Sequence, residues 1–379
     1  MHYFLSVLFF ASVHAGAATP LDLSDVSILF PLPKVNQWEQ LPKPATEAKK
    51  GLLLPQSYYQ QIPSLVGVPT NEMLYDDLRV IGLRIDPCFF EGQGPVQCKQ
   101  QIRMVMQPLE AVGDVTSTRD SSLHLFYELT PEEFKQLLQQ IIQLKSQKST
   151  VSERSPLTIN PFIKNEGLDG QYFKDLMNIV YQYVGEKNLS RITFMQLMMN
   201  QMVWDFGGFD IKNGEMTSIT IPRVNTKIQR FMNHAIKPAP VWFFGGIMPK
   251  PKQDENLNIL VTDSSALGSQ NESEIISATR AAFRFENPKI HNPGTVDCVS
   301  CHVAQPVRRW TVRQYPWLDL NKAMASETYT SNQNLNNFSP MQVHTNIIRA
   351  FGYFMNQPFV AQRTINESAE VLKYIETNF

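Results

Sequence analysis

From Leu78 onward apolar and polar residues alternate. Ile81, Leu83 and Ile85 share one parity, then Ile102, Met104 and Met106, then Leu123, Leu125, Tyr127 and Leu129. A two-residue period puts each set on one face of a pleated strand, so three half-buried strands are predicted. The period then changes. Thr130-Pro131-Glu132-Glu133 supplies an N-cap, a first-turn proline and a capping-box glutamate, and Phe134, Leu137, Leu138, Ile141 and Ile142 follow at helical spacing. A second helical stripe runs from Tyr172 to Val184 and stops at Gly185. Ser190 then reads as the cap of a third helix carrying Met195, Met198, Met199 and Met202. With no histidine or cysteine among them, those methionines predict a core face and not a soft-metal site. Asn213-Gly214 predicts the turn of a hairpin, and 258–264 reads as a further strand.

Two more patterns frame these elements. Prolines at 31, 33, 42, 44, 55 and 63 predict an extended arm over the body of the protein, and the polar stretch 146–155 marks a boundary. Near the C-terminus, Ser339-Pro340-Met341-Gln342 reads as another capped helix start. Met341, His344, Ile348, Phe351 and Met355 then fall on one helical face.

Composition narrows the function classes. The 379 residues are 43% hydrophobic, and 34 basic side chains nearly cancel 35 acidic ones. A formal charge of −1 offers no broad basic field for phosphate backbones, so no nucleic-acid partner is expected. There is no G-x-S-x-G, H-E-x-x-H or Walker sequence to anchor a hydrolase or nucleotide-binding reading. The apolar run 3–13, followed by Ala15-Gly16-Ala17, predicts a secretory leader and hence a periplasmic or secreted protein. It is shorter than the roughly 20 residues a bilayer-spanning helix needs, and no membrane span is expected elsewhere. In an oxidising compartment Cys88 and Cys98, with Gly92, Gly94 and Pro95 between them, predict a disulfide that closes a loop.

The other two cysteines form Cys298-Val299-Ser300-Cys301-His302. This sequence resembles the haem-attachment motif of c-type cytochromes. In that family two thiols spaced in this way form thioethers with the two vinyl groups of one porphyrin, and the following histidine is the proximal iron ligand. The resemblance implies that haem c is held by Cys298, Cys301 and His302, with haem maturation after export. The stretch around Cys88 and Cys98, through 108, and the segment 298–306 together look similar to secreted proteins of predatory and social Gram-negative bacteria, a likeness that implies no function. Alternatives stay open at this point: a zinc site completed by His291, a Cys298–Cys301 disulfide, or a motif with no cofactor. For a second axial ligand, Met341 is the first candidate and His344 the second, both on the face described above. Arg308 and Arg309 are candidates for pairing with haem propionates. His124, on the strand face opposite Leu123 and Leu125, reads as a solvent or packing residue.

The expected architecture is α+β, an N-terminal antiparallel β/α region followed by a mainly helical C-terminal haem-binding region. Its parts are a signal peptide over 1–17, an extended arm over 18–77, a β-meander plus helix with the disulfide over 78–150, an α+β region over 151–270, and a cytochrome c-like region over 271–379. The expected task is single-electron transfer with a periplasmic or surface redox partner. The competing expectation is a secreted cell-envelope binding or structural protein whose C-x-x-C-H holds zinc or a disulfide. The long sequence before the motif favours it.

Overall fold

The three alternating segments pair with one another and seed a larger sheet. The structure, a computed structural model, describes residues 21–63, 74–90, 98–148, 156–198, 203–232, 272–337, 339 and 347–379. Its strands are β1 (Ser27–Leu29), β2 (Glu47–Ala48), β3 (Gly51–Leu52), β4 (Leu78–Phe90), β5 (Cys98–Val112), β6 (Val115–Thr118), β7 (Ser122–Leu129), β8 (Leu189–Met198), β9 (Val203–Lys212), β10 (Glu215–Ser218), β11 (Ile228–Met232), β12 (Phe351–Phe354) and β13 (Gln357–Val360). Nine of them form one antiparallel sheet in the order β1-β4-β5-β7-β8-β9-β10, with β6 on β5 and β11 on β9. The helices of ten or more residues are α1 (Pro131–Ser146), α2 (Gln171–Val180), α3 (Glu272–Glu286), α4 (Cys298–Gln314) and α5 (Gln362–Asn378). None is long and apolar enough to cross a membrane.

Strand register separates the sheet into two chemically different faces. Leu83, Met104, Leu125 and Ile192 stand abreast across β4, β5, β7 and β8. This apolar face packs in one core with Phe134, Leu137, Leu138 and Ile141 of α1 and with Phe173, Leu176 and Val180 of α2. The expected capping box holds α1: the Glu133 amide donates to the Thr130 hydroxyl, and the Glu133 carboxylate accepts from the Thr130 amide. The opposite face carries Arg84, Arg103, Phe126 and Arg191 abreast, with His124 between Val105 and Thr193 in the next row. The C-terminal third of the chain covers that face.

The Cys88–Cys98 disulfide is present and joins the ends of β4 and β5. A cross-link closing a loop of this length stabilises by about 3 kcal/mol in a chain-entropy account. The hairpin at Asn213-Gly214 also forms, between β9 and β10.

The expected division into a β/α front and a mainly helical C-terminal region does not hold. One nine-stranded antiparallel sheet organises the molecule, and the C-terminal region is not mainly helical: its helices alternate with the β12–β13 hairpin and irregular segments. Two misread patterns account for much of this. Met195 and Met198 lie in strand β8, because Ile192 and Phe194 bury one parity against the α1 and α2 core while Arg191 and Thr193 take the other; Met199 and Met202 lie outside the described residues. Burial of both faces blurs the alternation, and methionine fits either period. The face expected through Ile348, Phe351 and Met355 is not helical either. Phe351 lies in β12, and Met355 turns the hairpin with φ at 55°. The leader, the strand at 258–264, Met341 and His344 lie outside the described residues.

Candidate cofactor site

The motif residues begin a helix. Asp297 caps α4, accepting from the Ser300 amide at 3.0 Å, and Gln229 of β11 accepts from the Val299 amide while donating to the same Asp297 carboxylate. These contacts satisfy amides that a helix start otherwise leaves open and dock the first turn on the sheet. On α4, Val299, Val303 and Val307 recur at four-residue spacing and pack with Ala281, Ala282 and Phe285 of α3 and with Trp204 and Phe206 of β9. That stripe fixes the rotation of the helix. Cys298, Cys301 and His302, at three- and four-residue spacing, consequently share an adjacent face.

This face lines a cavity enclosed between α4, α5 and the polar face of the sheet. Its volume is about 190 Å³, below the range of about 300–1,000 Å³ typical of cofactor and ligand sites. The sheet contributes Arg84, Arg103, His124, Phe126 and Met195, and α5 contributes Arg363 and Glu367. Arg103 stacks on Phe126 with 4.6 Å to the ring centroid, and Glu367 accepts from Arg363 at 2.6 Å and from Arg84 at 3.1 Å.

His302 is held in a defined tautomer. Its Nδ1 lies 2.6 Å from the Ile348 carbonyl oxygen, and since that oxygen can only accept, Nδ1 carries the proton. Nε2 is then the free lone pair, without a hydrogen-bond partner among the described residues, on a ring that lines the cavity. Burial pulls the His302 pKa down to about 4, so the imidazole is neutral at ordinary pH. Phe206 braces it from 4.9 Å. Arg349, next to Ile348, donates to Asp120 at 2.6 Å, and Trp204 Nε1 donates to the other Asp120 oxygen at 3.0 Å, fixing the segment that supplies the carbonyl.

Cys298 and Cys301 are half-buried and not disulfide-bonded. Burial pushes their thiols up to about 12 and about 11, Asp297 adding to the first, so both stand as neutral thiols. A cycling C-x-x-C pair instead needs a thiol lowered toward neutrality. Zinc fares no better: no group of three His, Cys, Asp or Glu suited to a metal is found among the described residues. His291, the expected fourth ligand, has its Nδ1 3.3 Å from the Thr295 hydroxyl and its ring against Phe285.

Other expected residues sit elsewhere. Arg308 pairs with Glu286 at 2.9 Å and Arg309 lies over Phe359, and neither lines the cavity. His124 does face away from Leu123 and Leu125, as its parity requires, but that side is the cavity wall and not solvent. Comparison with known proteins finds no matching family model, no similar curated protein and no similar solved structure.

Proposed function

We propose that this chain holds one c-type haem covalently through Cys298, Cys301 and His302 and serves single-electron transfer with a redox partner in the periplasm or outside the cell. The observation that carries this reading is the common orientation of two unpaired thiols and a lone imidazole nitrogen toward one cavity. The bound group would supply a reversible one-electron couple at its iron. The Ile348 carbonyl orients His302 and raises the electron density at Nε2, as outer-sphere partners of ligating histidines generally do. The two cysteine sulfurs would each add, S–H across a vinyl C=C, to give a thioether; no atom leaves and no electron is exchanged. Four arginines line the cavity and could donate to propionates, although each already faces a carboxylate: Arg84 and Arg363 face Glu367, Arg103 faces Asp86 and Arg191 faces Asp210. Phe126, Phe206 and Met195 add apolar surface to the wall. The Cys88–Cys98 disulfide supports an oxidising compartment.

The test is expression of the full chain in a host with haem-maturation machinery, followed by denaturation and intact-mass measurement. A haem-sized increment should remain on the polypeptide and disappear in the double variant Cys298→Ala/Cys301→Ala. A colourless chain of unmodified mass from the competent host rejects the proposal.

A further inference from the structure

We infer that His124 is the second axial ligand of the haem, reaching the iron from the sheet on the side opposite His302. The inference rests on the haem reading above and adds to it the residue that sets coordination. The walls that face α4 are α5 and the polar face of the sheet; α5 offers Arg363, Thr364 and Glu367, and Glu367 is already held by Arg363 and Arg84. Most side chains there are excluded by chemistry: guanidiniums carry no lone pair for iron, and phenylalanine and threonine are not iron ligands of this class. Two candidates remain, His124 and Met195.

Their surroundings separate them. Met195 is 2% exposed and packed with Trp204, Phe206 and Val299, so its side chain is already committed to the core beneath α4. His124 is half-buried on the cavity side and makes no hydrogen bond among the described residues. Its imidazole therefore keeps a nitrogen lone pair available on a ring that lines the cavity. Its backbone is rigid, since β7 is paired along both edges: His124 stands opposite Val105 of β5 and Thr193 of β8.

The experiment compares optical and paramagnetic-resonance spectra of the haem-loaded full chain with those of His124→Ala, Met195→Leu and Met341→Leu. Covalent haem is counted separately on the denatured chains. The native protein should be low-spin and lack the near-infrared charge-transfer band of a methionine bond to ferric iron. His124→Ala should keep its covalent haem, lose the low-spin signature and regain it when imidazole is added, while both methionine variants remain native-like. Retention of the low-spin spectrum by His124→Ala, or its loss in either methionine variant instead, overturns the assignment while leaving attachment intact. Absence of haem from the denatured native chain overturns the attachment reading, and this one with it.

Discussion

Arg349 is one of the largest fully buried side chains, and its charge is met by a single carboxylate. Its Nη2 donates to Asp120, whereas Nε and Nη1 have no acceptor among the described residues. Removing one partner of such a pair leaves an uncompensated buried charge, which costs about 3–5 kcal/mol. Asp120→Ala should therefore lower unfolding stability by that amount in urea titrations. It should also loosen the Ile348 carbonyl and with it the orientation of His302. Asp120→Asn, which keeps an acceptor, should recover part of the loss; equal stability of all three proteins would show that Arg349 is solvated. None of this is written locally in the sequence. The C-x-x-C-H run was legible because its five residues are adjacent and their spacing has chemical meaning. His124 was not, since parity assigns a side chain to a face but cannot say what covers that face. The cover here is assembled from α4, α5 and the Ile348 segment, all distant in sequence.

At the scale of elements, what was legible depended on whether one period dominated. Helix α1 announced itself through Thr130, Pro131 and Glu133 before its apolar stripe began, and the capping box forms accordingly. Thr130→Ala removes the hydroxyl that accepts from the Glu133 amide and should cost about 1 kcal/mol by denaturant titration, with no effect on the cavity. A loss of several kcal/mol would mean that Thr130 does more than cap. Strand β8 gave no comparable signal. Its methionines suit either period, and packing on both faces removes the polar alternation that marks an exposed strand. The β12–β13 hairpin was hidden for another reason. It depends on Gln107 of β5, which is fully buried, accepts from the Tyr353 amide at 2.7 Å and donates to the Tyr353 carbonyl at 3.1 Å. Gly352 fits beside it because φ is 138° and a Cβ would meet the Gln107 side chain at 2.3 Å. Such a clasp is a tertiary contact, invisible to a window of neighbouring residues.

Across the whole molecule, one ionic cluster joins parts of the chain that sequence reading kept separate. Glu367 of α5 binds Arg84 of β4 and Arg363 of its own helix; Arg363 donates to the carbonyls of Phe285 and His291; Arg84 reaches Ser27 of β1, which contacts Ser368. The first strand, the central sheet, α3 and the last helix are thereby tied beside the proposed cofactor site. Burial alone would raise the Glu367 carboxyl, but the guanidiniums of Arg363, Arg84 and Arg103 outweigh it and bring the pKa down to about 2 from an ordinary 4.5. Because the folded value is the lower one, the unfolded chain takes up the proton first as pH falls. The contribution of Glu367 is complete above about pH 4.5 and is lost between there and about pH 2. Its ceiling is of the order of 3 kcal/mol, because each tenfold change in proton affinity between the folded and unfolded chains is worth about 1.4 kcal/mol. Glu367→Gln should thus be less stable than the native chain at pH 7, and the gap should close progressively on acidification toward pH 3. Taking the difference between the two proteins cancels the other titrating groups to first order. A gap that is constant across this range would assign the loss to packing or hydrogen bonding and remove charge from the explanation of how the sheet and α5 are joined.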